Sequence, residues 1–278
     1  MGSANENIMI EYIRLIRLPN CIMTALAVYI GFVVAGGGTS LTTPVMLGIA
    51  SAFLICAGGM AINDYHDVEA DKAQKAKRKK RPVAKGAISR ENALIIAIVL
   101  TLLGLIAGYM ISMPALYIAL FAAIVLFSYS TKLKRIIFVG NVAISLLVAL
   151  SFVYGAVIGG NPVAVVFLAL LAFLANMGRE IYKDIEDVLG DKKVGRKTLA
   201  LHIGILNAKN VAGAFLLLAV ALSFIQFFIT LDYVYLFFVI VADIVFIAAI
   251  LSPLALRTKL CKLGMLIALV AFYVGAIQ

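Results

Sequence analysis

Residues 44–62 read PVMLGIASAFLICAGGMAI, and residues 63–71 follow as NDYHDVEAD. The first stretch holds no charged side chain and is long enough to cross a bilayer as a helix, which takes about 20 residues. The second holds four acids and neither Lys nor Arg. Asn63, Asp67 and Asp71 recur at i, i+4 and i+8. If the helix continues beyond the membrane they share one face, each turned about 40° from the last. An apolar span that ends in a row of oxygen donors therefore sets both the fold and the place to look for chemistry.

Eight further apolar runs lie outward from this one. They are Asn20–Gly36, Ala93–Ser112, Pro114–Tyr129, Phe138–Gly159, Pro162–Gly178, Ala208–Thr230, Tyr233–Ser252 and Leu260–Ile277. Pro44, Pro114 and Pro162 stand near helix starts, where a missing N–H does no harm. The chain of 278 residues is 64% hydrophobic and 14% charged, with a mean hydropathy of +1.08. A water-soluble domain cannot hide that much apolar surface. The expected fold class is an all-α polytopic membrane protein with nine transmembrane helices.

The charges check this segmentation. All 24 Lys and Arg fall in the N-terminal stretch or in residues 64–92, 128–137, 179–209 and 257–262. The intervening connections, 36–44, 112–114, 159–162 and 230–233, hold none. A wrong number of spans would scatter the bases to both sides. By the positive-inside rule the charged side is cytoplasmic, with the N-terminus inside and the C-terminus outside a cell membrane. The net charge of +10 is then a topology signal joined to an anionic substrate, not a nucleic-acid surface. Cys21, Cys56 and Cys261 form no close pair and read as small buried hydrophobes. Two acids depart from the charged side: Asp232 in an outer turn, and Asp243 inside a span, where it should face other helices.

A second acid row closes the sixth span. Glu180, Asp184, Asp187 and Asp191 are spaced i, i+4, i+7 and i+11, with Ile181, Ile185 and Val188 beside them and Glu186 pointing away. The order of span, acid row, basic stretch and next span repeats four spans apart, as a duplicated four-helix unit would give. Two carboxylate clusters that face each other repel, at a cost of several kcal/mol if desolvated. Mg²⁺ with a polyanion would resolve that repulsion and suits hard oxygen donors. The basic run Lys77-Arg78-Lys79-Lys80-Arg81 and the group Lys132, Lys134 and Arg135 supply cations for phosphoryl oxygens. A cation transporter is the rival from another class, but only Asp243 lies deep in a span. The aspartate signature of CDP-alcohol phosphotransferases, DxxDGxxAR, is missing because Val68 follows Asp67. No P-loop, dinucleotide fold, zinc-protease or serine-hydrolase motif occurs.

These motifs, taken in order, resemble the UbiA superfamily of intramembrane prenyltransferases. Asn63, Asp67 and Asp71 match its NxxxDxxxD motif. Arg81-Pro82-Val83-Ala84-Lys85-Gly86-Ala87-Ile88-Ser89 matches its RPxxxGxIS loop. Tyr129, Ser130 and Lys132 match the motif after the fourth helix. Asp187, Asp191, Gly195, Thr198 and Leu199 match the second acidic motif. Within the superfamily, Gly178-Arg179-Glu180-Ile181 and the acids after it are most similar to archaeal-type digeranylgeranylglyceryl phosphate synthases.

The resemblance implies nine helices around a central cavity and a single domain over 1–278. In that reading residues 1–8 are a tag remnant or a disordered start, and 64–92 and 179–207 are cytoplasmic catalytic loops. It implies Mg²⁺-dependent transfer of a geranylgeranyl group from its diphosphate to the hydroxyl of geranylgeranylglyceryl phosphate. An aromatic acceptor such as 4-hydroxybenzoate is the alternative within the superfamily. Two ions are expected, one on Asn63, Asp67 and Asp71, the other on Asp187 and Asp191 with Asp184 in support. Arg81, Lys132 and Lys183 are expected on diphosphate oxygens, with Tyr129 in the substrate site and Arg17 on the acceptor's phosphate. The expected partners are the lipid bilayer, a prenyl diphosphate and a lipid-phosphate acceptor, with no nucleic acid.

Overall fold

The computed structural model describes residues 2–73, 79–193, 195–230 and 232–277, with side chains described from residue 8 onward except at 189, 193, 229 and 230. Among these residues the chain is helical and has no strand. Among the described residues nine helical segments are long and apolar enough to cross a membrane, and they match the nine runs read from the sequence. The chain packs as two compact units, Met1–Ala25 with Thr43–Lys134, and Leu26–Thr42 with Arg135–Gln278. The boundary at residues 134 and 135 falls between the fourth and fifth spans, where the duplicated four-helix unit would divide. The outer part of the first span, however, belongs with the second unit.

In the first unit α1 (Gly2–Ile16) breaks from α2 (Leu18–Phe32) at Arg17, whose φ of 51° is left-handed. The expectation of a disordered start over residues 1–8 is corrected for residues 2–8, which are helical. They continue a helix whose Leu15 is fully buried and whose Glu11 pairs with Lys85 at 2.7 Å.

α3 (Thr43–Ala73) is one helix through both the apolar run and the acid row that follows it. Its 31 residues span roughly 46 Å, well beyond the hydrocarbon thickness of about 30 Å. Residues 64–73 therefore stand clear of the apolar layer as helix rather than loop. No Gly or Pro occurs between Ala61 and Ala73 to stop them. The loop expected over 64–92 is thus corrected over residues 64–73. Residues 74–78, with Lys77 and Arg78 of the basic run, lie outside the described residues.

The 81–89 segment folds into a tight turn. Lys85 N donates to Arg81 O, and Ala87 N and Ile88 N both donate to Pro82 O. Gly86 sits at φ +82°, a conformation L side chains rarely adopt, so the loop motif needs glycine there. Ser89 then caps α4 (Arg90–Ile111) by accepting from Asn92 N at 3.1 Å. α5 (Met113–Thr131) follows. α3 and α4 approach through small residues, with Ser51 Oγ donating to Gly104 O at 2.7 Å.

In the second unit the outer part of α2 packs on α6 (Val139–Gly159). A Cβ added at Gly31 would strike the Phe152 backbone, and one at Gly155 would strike the Val28 carbonyl. α7 (Val166–Lys193) runs from the sixth span through the whole second acid row. Residues 179–193, expected as loop, thus continue a helix, as in α3. The short α8 (Leu199–Ile203) leads to α9 (Ile205–Thr230), α10 (Tyr233–Leu251) and α11 (Leu254–Ala276). Asp232 is the N-cap of α10 and accepts from Val234 N at 2.8 Å, which accounts for an acid in an outer turn. Asp243 is buried and accepts from Ser223 Oγ at 2.8 Å.

Replacing Gly155 with Ala puts a methyl group into the α2 backbone. It should cost about 1–3 kcal/mol, read as a fall of several degrees in Tm of the detergent-solubilised protein. Gly213→Ala, whose nearest neighbour would lie at 3.7 Å, should leave Tm within a degree or two.

Candidate active site

In the first unit the charged end of α3 is surrounded by bases from three segments. Asp64 is 1% exposed, and its Oδ1 accepts from Arg17 Nη2 at 2.8 Å. Arg81 Nη1 lies 3.5 Å from the same oxygen, and its Nε lies 3.7 Å from Asp71 Oδ2. Lys134 Nζ donates to Asp67 Oδ1 at 2.8 Å and to Asn63 Oδ1 at 3.2 Å. Ser130 Oγ donates to Ile62 O at 3.0 Å and stands 3.1 Å from His66 Nδ1, tying the end of α5 to α3. Tyr129 is half-buried in the last turn of α5. Lys132 is exposed at the C-cap of that helix.

Electrostatics follow from this crowding. Burial opposes the charge on Arg17, but the adjacent Asp64, by charge and hydrogen bond, and Asp71 outweigh it and raise the Arg17 pKa. For Arg81 burial and the neighbouring Arg17 charge prevail over Asp64, Asp71 and Asp67, and its pKa is lowered.

In the second unit α7 carries its acids on one stripe. Glu180, 3% exposed, is paired by Arg179 and by Lys183 Nζ at 2.8 Å. Asp184 Oδ2 accepts from Asn141 Nδ2 at 2.8 Å. Asp187 is half-buried, and buried Asp191 has Arg196 Nη1 at 3.5 Å. Asn176 Nδ2 donates to Ser145 Oγ at 3.1 Å. Glu186 points elsewhere and accepts from Thr258 Oγ1 at 2.8 Å. The apolar side of the stripe, Ile181 and Ile185, is buried.

The structure thus gathers Arg17, Asn63, Asp67, Asp71 and Arg81 in one unit, and Lys183, Asp184, Asp187 and Asp191 in the other. Sequence reasoning gave two participants, Asp64 and Asn141, no place in the site, and named Lys134 and Glu180 only as members of a basic group and an acid row. Lys134, not Lys132, reaches Asn63 and Asp67, because α5 ends at Thr131 and the 3₁₀ turn Leu133–Arg135 re-aims the chain. Asp64 stood in the motif but off its four-residue spacing. Only its spacing of seven from Asp71 hinted that it shares that side of the helix.

Among the described residues no three His, Cys, Asp or Glu side chains converge tightly enough to hold a metal by themselves. The Asn63 and Asp67 oxygens nevertheless already share one cation, the Lys134 ammonium. Hard amide and carboxylate oxygens of this kind fit Mg²⁺. Removing the ammonium breaks the pair with Asp67, a loss of about 3–5 kcal/mol. Lys134→Met should therefore lower Tm in chelator and regain most of it when Mg²⁺ is added. The same titration should raise the wild-type Tm less.

The chain matches the UbiA prenyltransferase family over residues 23–272. It is 35% identical over 271 residues to the digeranylgeranylglyceryl phosphate synthase of Pyrococcus abyssi, covering 96% of this chain and 97% of that protein. A solved digeranylgeranylglyceryl phosphate synthase structure aligns with a TM-score of 0.77 at 34% identity, over 98% of this chain and 99% of the other. A UbiA homologue from Archaeoglobus fulgidus, bound to GPP and Mg²⁺, shares the fold at a TM-score of 0.74 and 20% identity, over 96% of this chain and 99% of the other. A full-length match of this kind, with every motif in order, makes this multi-pass membrane protein a member of the UbiA prenyltransferase family.

Proposed function

We propose that the chain transfers a geranylgeranyl group from geranylgeranyl diphosphate to the free hydroxyl of geranylgeranylglyceryl phosphate. The product, digeranylgeranylglyceryl phosphate, carries the second ether bond of archaeal membrane lipids. The observation that carries this reading is the Lys134 ammonium shared by Asn63 and Asp67 at the charged end of α3, in a chain 35% identical over nearly its whole length to a synthase of that name. The active site and N-terminus are cytoplasmic and the C-terminus is outside the cell membrane, as the one-sided placement of Lys and Arg supports.

Asn63, Asp67 and Asp71 bind one Mg²⁺ and Asp187 and Asp191 a second, with Asp184 in support. Mg²⁺ held by these side chains would supply charge neutralisation for the diphosphate as a leaving group. Lys134, held beside Asp67, is the base most directly placed to take over diphosphate oxygens, with Lys183 and Tyr129 as further contacts. The allylic C–O bond breaks with its electron pair going to diphosphate. The acceptor oxygen bonds to the same carbon, and its proton passes to the departing diphosphate. Apolar walls keep out water, which would otherwise capture the allylic centre.

Purified protein offered radiolabelled geranylgeranyl diphosphate, Mg²⁺ and a panel of acceptors should label geranylgeranylglyceryl phosphate. It should leave 4-hydroxybenzoate and homogentisate unlabelled. An aromatic product alone would overturn the acceptor assignment. Asp67→Ala and Asp187→Ala should each abolish transfer while the protein still elutes as a folded species. Normal turnover in either would overturn the metal assignment.

A further inference from the structure

The oxygen row of α3 has two sides. Taking Asn63 as the origin, Asp67 lies about 40° round the helix, Asp71 about 80° and Asp64 about 100°. Lys134 occupies the Asn63 and Asp67 side, and Arg17 and Arg81 occupy the Asp71 and Asp64 side. Two carboxylates balance two guanidinium groups on the second side, but the pairing is lopsided, and among the described residues buried Asp64 Oδ2 has no hydrogen-bond partner. A single carboxylate oxygen of Asp64 serves two guanidinium groups, one at hydrogen-bond distance and one at 3.5 Å. The two guanidinium groups repel, and Arg81 feels it. Among the described residues the buried Arg17 Nε has no hydrogen-bond partner, an expensive condition for a charged donor. Arg17 also holds a left-handed backbone that a non-glycine residue adopts only at a cost.

We propose that Asp64 is a positioning residue that gathers Arg17 and Arg81 into one clamp for the phosphate monoester of the acceptor lipid. This rests on the reaction proposed above, which brings two separate anions to the site in each turnover. The donor's diphosphate has the Lys134 side. The acceptor's phosphate, a dianion, takes the paired guanidinium forks, whose planar donors match its oxygens. The buried Arg17 Nε supplies one of those donors. Asp64 does not touch the ligand. It neutralises part of the clamp while no ligand is bound and fixes the approach of both forks.

The test is the Michaelis constant for each substrate with Arg17→Lys, Arg81→Lys and Asp64→Asn, in vesicles of uncharged phosphatidylcholine. Lysine keeps the charge and loses the fork, so these variants should fold even where an alanine would not. Each should raise KM for geranylgeranylglyceryl phosphate by about tenfold or more, while KM for geranylgeranyl diphosphate changes less than about threefold. Geranylgeranylglycerol, which lacks the phosphate, should be used equally poorly by wild type and variants. Inorganic phosphate should inhibit the wild type competitively against the acceptor and the variants much less. A rise in donor KM with acceptor KM unchanged would assign the clamp to the diphosphate and overturn the proposal. Unchanged constants with a lowered Tm would reduce Asp64 to a structural brace and also overturn it. A wild type that fails to use geranylgeranylglyceryl phosphate at all would instead sink the reaction on which the proposal rests.

Discussion

Carboxylates crowded on one helix end cannot stand unneutralised at a membrane rim, and the first unit is built around that constraint. Asp64, Asp67 and Asp71 are all less than a tenth exposed. Each is met by a base from a different part of the chain: Arg17 at the α1–α2 break, Arg81 in the turn after α3, and Lys134 after α5. Burying these acids without partners would cost several kcal/mol for each ion. The left-handed Arg17, the glycine turn at Gly86 and the 3₁₀ turn at Leu133–Arg135 are the local devices that deliver those bases.

The membrane part of the fold serves a different need. In lipid, apolar side chains gain little by leaving their surroundings for one another, so helices hold together by close packing and hydrogen bonds. Glycines at 31 and 155 let α2 and α6 meet at backbone distance, and Gly178 does the same for α7 against Ala212 and Leu216 of α9. Ser51, Ser145 and Ser223 each use a hydroxyl inside the bundle. Large apolar side chains such as Ile95, Leu102, Tyr117 and Phe237 are left on the outside, where lipid covers them. Rigid packing of this kind gives α3 and α7 a fixed base from which to project beyond the bilayer.

The second unit repeats the device of the first with other residues. α7 carries a half-apolar, half-acidic stripe, and Asn141 from α6 donates to Asp184 much as Lys134 donates to Asp67. Glu180 is closed off by Arg179 and Lys183. The compact units divide between the fourth and fifth spans, as a duplication would, yet the first span is shared between them. The order of motifs thus repeats between the units, while the packing of the first span does not follow that repeat.

The nine spans, the one-sided charge and both acid rows were legible in the sequence by itself. Each rests on a local periodicity or on the cost of placing a charge in lipid, and neither needs a tertiary contact to be read. The family resemblance was legible for the same reason, since its motifs are short and ordered along the chain. Tertiary structure alone decided which base meets which acid. Lys134 rather than Lys132 reaches Asp67, and Asp64 holds Arg17 from 47 residues away. It also decided that residues 64–73 and 179–193 are helix and that Asn141 serves Asp184. Side-chain partners far apart in sequence are chosen by where a turn aims the chain and by what burial forbids to stay unpaired. Those conditions exist only once the helices have packed.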